Sequence, residues 1–125
     1  MKAAVCTEYG PPDVVSIQEV PRPVPGPDQV LVQVRATTVN RTDSGTRSGK
    51  PLFARAFTGL RRPSASILGC EYAGDIVEVG ADVAGLSVGD RIFGYNEGPF
   101  GAHAEYLAVA ADGPLAQIPD GVDYA

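Results

Sequence analysis

The side chains best suited to chemistry gather in one short run, Asn40-Arg41-Thr42-Asp43, directly after the apolar-patterned stretch that ends at Val39. Asn40 has the side chain of a helix N-cap. Asp43 stands three residues on, where a carboxylate suits the positive end of a helix dipole. The two cysteines, Cys6 and Cys70, lie 64 positions apart with no C-x-x-C spacing, so they read as reduced thiols rather than a disulfide. The sole histidine, His103, falls in a predicted strand, where a lone imidazole is more often packed or surface-lying than catalytic. Arg47, Lys50, Arg55, Arg61 and Arg62 crowd into sixteen positions. That cluster fits a solvated loop, or a positive rim beside an anionic cofactor. No G-x-G-x-x-G occurs in residues 1–125, so the fingerprint of a dinucleotide phosphate cradle is missing.

The frame that must hold these residues is small. At 125 residues the chain has enough length for one domain with a real core. Fifteen Gly and eleven Pro favour short strands joined by many turns over long helices. The net charge of −5 argues against nucleic acid as a partner, because phosphate binding needs a basic face. The N-terminal MKAAVCTEYG lacks an apolar signal-peptide core, and no apolar run reaches membrane-spanning length. The expectation is a cytoplasmic protein with no membrane partner.

Taken in order, Lys2 to Thr7 reads as a strand and Val14 to Val20 as its partner, with Val15, Ile17 and Val20 approximating one buried face. Between them, Gly10-Pro11-Pro12-Asp13 is a turn that should admit neither strand nor helix. Residues 21–29 (PRPVPGPDQ) form a proline-stiffened surface connector. Gln29 to Val39 is the clearest strand: Val30, Val32, Val34 and Ala36 face one way, and Leu31, Gln33, Arg35 and Thr37 the other. A short helix should run from Asn40 to about Arg47, ahead of Gly49. Residues 50–67 suggest one or two helical turns through Leu52, Phe53, Ala56 and Phe57, then loop from Arg61 to Ser64. Further strands are expected over Ala102–Ala110, centred near Glu105 and Tyr106, and over Leu115–Ile118, with loop at 96–101. Asp123 looks like an N-cap with only two residues after it, too few to nucleate a helix. Together the strands make a mainly antiparallel barrel the natural architecture.

The central stretch is Leu68 to Gly94, LGCEYAGDIVEVGADVAGLSVGDRIFG. Gly69 and Gly74 bracket an apolar lead-in. Ile76, Val77 and Val79 form a strand core with Asp75 and Glu78 exposed, Gly80 ends it, and Gly89-Asp90 turns into Arg91-Ile92-Phe93. This ordered punctuation, Ile76-Val77-Glu78-Val79-Gly80 followed by Gly89-Asp90-Arg91, resembles the V-x-x-V-G and G-D-R signature of the medium-chain dehydrogenase/reductase superfamily in its N-terminal catalytic domain of GroES-like fold. Val39-Asn40-Arg41-Thr42-Asp43 matches the V-N-x-x-D step of the superfamily's zinc-independent, quinone oxidoreductase-like branch. Gly101-Ala102-His103-Ala104-Glu105-Tyr106 and the closing Ile118-Pro119-Asp120-Gly121 match it as well.

The resemblance implies a mainly β domain with short helices, a GroES-like partly open β-barrel over residues 1–125, without the family's nucleotide-binding Rossmann domain. In zinc-dependent relatives the position of Asn40 belongs to a cysteine ligand, and Cys70-Glu71 matches a further ligand pair. An amide is a poor substitute for a thiolate, so no metal is expected. The implied reaction is hydride transfer from NADPH or NADH to a quinone or an α,β-unsaturated carbonyl. Asn40 and Thr42 are the implied catalytic residues, and Asn40, Arg41 and Asp43 the implied cofactor contacts. Asn40 would act as a neutral hydrogen-bond donor in the cleft and Thr42 as a relay hydroxyl. Some quinone reductases carry an aromatic residue where this chain has Gly45, so the pocket is either wider or closed by Tyr72, Phe53 or Phe57. The expected partners are a small-molecule quinone or enone and a second subunit joined through the absent domain. The alternatives are a zinc-dependent alcohol dehydrogenase domain, a non-enzymatic GroES-like binding module, and a domain whose cofactor half lies on another polypeptide.

Overall fold

An interior strand of the sheet, β3 (Gln29–Thr37), pairs antiparallel with β4 (Glu71–Val79) on one side and β6 (Tyr106–Ala110) on the other. The computed structural model describes residues 1–96 and 98–125; the expected loop at 96–101 therefore includes one residue, Glu97, outside the described ones. Beyond β4 the sheet continues through β5 (Arg91–Tyr95) to β7 (Leu115–Gln117), in the order β6-β3-β4-β5-β7. A separate hairpin pairs β1 (Lys2–Cys6) with β2 (Val15–Glu19). It joins the rest through single bridges, Ala3 to Ala104 and Val5 to Ile67. Every strand pairing among the described residues is antiparallel. The sheet order is open, as a partly open barrel requires.

The core forms where the apolar positions of these strands converge: Val30 and Val32, Tyr72 and Ile76, Ile92, Ala102, Leu107 and Val109. Strict alternation does not survive along β3. Val30, Leu31 and Val32 are all fully buried, so both faces are covered where the strand begins. Two register shifts then intervene, one between Leu31 and Val32 and one between Val34 and Ala36. They leave Val77 of β4 and Arg35 of β3 without a cross-strand partner. Bulges of this kind bend and twist a sheet, which lets a five-stranded layer curl.

Several local expectations change. The proline turn admits a 3-10 turn at Pro12–Val14, since proline's fixed φ suits a first helical position. β2 buries no face: Ile17 is 70% exposed, because the hairpin meets the body through β1. β4 begins at Glu71, earlier than its β-branched centre suggested, and Asp75 is only half exposed, held by Arg35 Nε and the Tyr124 hydroxyl. The Ala102–Ala110 segment is regular strand only from Tyr106, with His103 in the irregular approach to it. No helix among the described residues is long and apolar enough to cross a membrane.

Gly74 is required by close packing. A Cβ there would lie 2.1 Å from the carbonyl oxygen of Gln33 on the paired strand, and backbone cannot swing aside as a side chain can. Gly74→Ala is therefore expected to destabilise the fold by about 1–3 kcal/mol in urea unfolding, the scale of overpacking a tight interior. Asp75 generates a pH test. Burial raises its carboxyl pKa, but hydrogen bonds from Tyr124 and Arg35 outweigh this and hold it below the ordinary 3.8. A lowered folded-state pKa stabilises above the unfolded value and is lost as pH falls through the folded one. The parent should be more stable than Asp75→Asn near pH 6, with the gap closing as the pH falls from the ordinary 3.8 through the lowered folded-state value.

Candidate functional site

The site starts from a helix that is capped at both ends by its own residues. α1 (Arg41–Ser48) opens at Asn40, whose Oδ1 accepts from the backbone N–H of Thr42 at 2.9 Å and of Asp43 at 3.2 Å. Asp43 answers through Oδ2, which accepts from the Asn40 N–H at 3.0 Å. This is a capping box. Because Oδ1 faces two N–H donors, the orientation of the Asn40 amide is set: Nδ2 must point the other way. It donates to Cys70 Sγ at 3.1 Å.

Asp43 does more than cap. Its side chain is 3% exposed, and Oδ1 accepts from the Gly69 N–H at 3.0 Å. One buried carboxylate thus clamps the start of α1 to the residues entering β4. The Asp43 side chain, expected as a cofactor contact, is engaged by these two backbone donors, and the little of it that stays exposed borders a cavity. His103 approaches the same carboxylate, with Nε2 3.8 Å from Asp43 Oδ2 and 2.8 Å from the Thr38 carbonyl oxygen. A carbonyl only accepts, so Nε2 carries a hydrogen. The ring reaches this position because Gly69, at φ +91, has no Cβ; one would fall 2.5 Å from the imidazole.

Thr37, Thr38 and Glu71 complete the neighbourhood. The Thr37 hydroxyl donates to the Glu71 carbonyl at 2.7 Å, and the Thr38 hydroxyl donates to the Glu71 carboxylate. Sequence reasoning missed Thr38 and discounted His103. The available signal was the Thr37-Thr38 hydroxyl pair at the end of the best-patterned strand, immediately before the helix cap.

Two cavities flank this strand end. One, of about 680 Å³, lies between the β1–β2 hairpin and β3, lined by Ile17, Val34, Asp43 and His103 among others. The other, of about 840 Å³, is largely apolar and is lined by Thr38, Glu71, Tyr72, Phe93, Tyr95 and Ile118 with their neighbours. Thr37 borders both. Asn40, Arg41 and Thr42 line neither cavity, although Cys70, which accepts from Asn40, directly precedes Glu71 of the larger cavity's lining in the chain. Arg41 is exposed on the first turn of α1, and Thr42 is half-buried. Of the aromatics considered for closing the pocket, Tyr72 lines the larger cavity, whereas Phe53 and Phe57 point into solvent. Burial pushes the Tyr72 phenol up to about 12, so it is a neutral wall group.

The donor set does not suit zinc. Cys70 is fully buried, and that burial raises its thiol pKa against the lowering effect of the Asn40 hydrogen bond. Zinc binds the thiolate, and this thiol is already an acceptor for an amide. Among the described residues no three His, Cys, Asp or Glu side chains converge as a metal site. A dinucleotide's phosphates are no better served. The N-terminus of α1 is filled by its own capping box, and no parallel strand–helix unit exists among the described residues.

Over nearly its whole length the chain is similar to known proteins. The quinone oxidoreductase of Pseudomonas aeruginosa is 38% identical over 116 residues, which is 93% of this chain and 33% of that protein. The chloroplastic NADPH-dependent alkenal/one oxidoreductase of Arabidopsis thaliana is 35% identical over 133 residues, covering all of this chain and 33% of the relative. The solved quinone oxidoreductase of Coxiella burnetii superposes with a TM-score of 0.86 at 29% identity, over 99% of this chain and 38% of that one. This chain spans about a third of the length of the curated relatives it matches. Residues 26–120 match the alcohol dehydrogenase GroES-like domain, and with its open antiparallel sheet and capped site helix the chain belongs to that family.

Proposed function

We propose that residues 1–125 form the substrate-side catalytic domain of a cytoplasmic, NAD(P)H-dependent oxidoreductase that reduces quinones or α,β-unsaturated carbonyls without zinc. The observation that carries this reading is the Asn40 amide: Oδ1 is held by the helix it caps, Nδ2 is turned to Cys70, and a metal-binding thiolate is missing where a zinc enzyme would need one. The names and reactions of the quinone and alkenal/one oxidoreductases it resembles support the same class.

A nicotinamide bound by a further domain would supply the hydride, and this chain's residues would orient the acceptor and polarise its carbonyl. The larger cavity suits a flat, apolar ring system, with Tyr72, Phe93 and Ile118 excluding water from one side. Asn40 lies outside the cavity lining, and of its two Nδ2 hydrogens one goes to Cys70; the second would be the neutral donor for an acceptor oxygen that reaches past the cavity rim. Asp43 is a positioning residue, holding Asn40 through its backbone N–H. Thr42 is assigned the relay hydroxyl beside Asn40, and Arg41, exposed on the first turn of α1, a rim contact with the anionic cofactor.

Two measurements test this. The enzyme containing this chain, assayed with NADPH and NADH against quinones and enones, should turn over equally with and without a chelator; activity abolished by chelation would overturn the zinc-free mechanism. Asn40→Ser keeps a capping oxygen but removes the amide donor, whereas Asn40→Ala removes both. Only the alanine variant should lose stability, by about 1 kcal/mol, the ordinary worth of an N-cap. Both should lower kcat at least tenfold, by roughly the 1.4 kcal/mol or more that a transition-state hydrogen bond contributes. Unchanged kcat in Asn40→Ser would confine Asn40 to capping.

A further inference from the structure

His103 ties together stretches of chain that lie far apart in sequence: β1, the residues entering β4, and the end of β3. Its backbone is fixed on both sides. The His103 N–H donates to the Leu68 carbonyl at 2.9 Å, and the His103 carbonyl accepts from the Ala4 N–H of β1 at 2.8 Å. The flanking residues are fastened as well. Gly101 and Ala102 donate to the carbonyls of Leu68 and Gly69, and the Glu105 carbonyl accepts from the Val34 N–H of β3. With its backbone held in this way, the side chain passes over the bare Cα of Gly69, and Nε2 donates to the Thr38 carbonyl at 2.8 Å. The imidazole is 14% exposed, so protein surrounds it on most sides.

The Thr38 carbonyl is a group that needs such a partner. β3 ends at Thr37, and α1 does not begin until Arg41. Between them, Thr38-Val39-Asn40 lies outside both the sheet ladder and the helix, where backbone polar groups must find other partners. Side chains fix this connection. The Thr38 hydroxyl donates to the Glu71 carboxylate, the Thr38 carbonyl accepts from His103, and Asn40 is held by Asp43 and Cys70.

We propose that His103 is a positioning residue for the reduction: by holding the Thr38 carbonyl it fixes the short connection that presents the Asn40 amide to the acceptor oxygen. The proposal rests on the reading of Asn40 as the neutral donor. His103 itself touches neither substrate nor cofactor in this role. Its Nε2 hydrogen is committed to Thr38, and the Asp43 carboxylate, at 3.8 Å, lies beyond hydrogen-bond length from Nε2. The imidazole therefore acts on the site through the backbone of Thr38. A donor that must meet a developing charge gains most from being held in place before the reaction, and a small displacement of it is costly.

The test measures kcat and KM for the enzyme containing this chain, with NADPH and a panel of quinones and enones. His103→Phe keeps a ring but removes the donor, and should lower kcat about tenfold while KM stays within about twofold. His103→Gln carries an amide nitrogen as many bonds from the backbone as Nε2, and should recover most of that loss. Should the phenylalanine variant not fold, His103→Asn, whose shorter amide falls short of Thr38, takes its place with the same expectation. A lowered urea midpoint with kcat unchanged would confine His103 to holding the fold and overturn the proposal. A loss that glutamine does not recover would also overturn it. Asn40→Ser completes a double-mutant cycle. If His103 acts through Asn40, adding His103→Phe to Asn40→Ser should lower kcat by less than about twofold more. Losses that multiply would mean that His103 acts by another route, and the proposal would fall. If Asn40→Ser lowers kcat and His103→Phe does not, the positioning role falls alone. A parent inert toward both substrate classes, or Asn40→Ser with unchanged kcat, discards the donor reading and the positioning role with it.

Discussion

The Asp43 carboxylate, nearly sealed from solvent, is the constraint on which the arrangement of the site rests. It accepts from the N–H of Asn40 and from that of Gly69, so one side chain joins the start of the site helix to the chain entering the second strand of the central pair. A buried charge is tolerated only where hydrogen-bond donors surround it, and charge-assisted bonds of this kind are roughly twice as strong as neutral ones. The rest of the site follows in sequence from that clamp. Asn40 is held so that its carbonyl caps the helix, its amide nitrogen then has one direction left, and Cys70 lies in that direction. Among the described residues no buried side-chain nitrogen or oxygen lacks a partner, so this polar centre is fully satisfied within a largely apolar fold.

The sheet prepares the place for that clamp. β3 delivers Thr37 and Thr38 to one side of the site, and β4 starts beside them with Cys70 and Glu71 just before and at its first residue. The hydroxyls of the two threonines bind Glu71 through its backbone and its side chain, which fastens the strand ends together where regular pairing gives out. A functional site at strand ends, between two cavities, combines a rigid wall with access for a ligand. The bulges that leave Arg35 and Val77 unpaired serve the same arrangement, because a flat sheet would not curl enough to bring β5 and β7 round as the far wall of the larger cavity.

Much of this was legible in one dimension, for reasons specific to the residues. The alternation over Gln29–Thr37 announced its strand, and Asn40 announced the start of α1 because capping is local, whereas Asp43, read as a dipole partner, also returns a bond to the Asn40 N–H. Gly49 marked the end of that helix in the same local way. The V-x-x-V-G and G-D-R punctuation marked a strand, a turn and a returning strand, which the structure bears out in β4 and β5. The errors fell where burial depends on residues distant in sequence. Ile17 alternates as a buried strand residue should, yet nothing packs on its face of the hairpin. Leu31 sits among the polar positions of β3 and is fully buried, because the strand is interior to the sheet and covered on both faces where it begins.

What the sequence determined by itself is therefore what short-range stereochemistry controls: strand period, helix caps, turn positions, the segregation of charge into residues 44–70, and the amide at position 40 that caps the site helix. What only the tertiary structure decided is which of those groups meet. Asp43 and Gly69 are 26 residues apart, Asn40 and Cys70 are 30, and His103 and Thr38 are 65. No periodicity spans such distances. Those contacts exist because strand pairing folds the chain back on itself, and a buried carboxylate among backbone amides is stable only once that folding has excluded water.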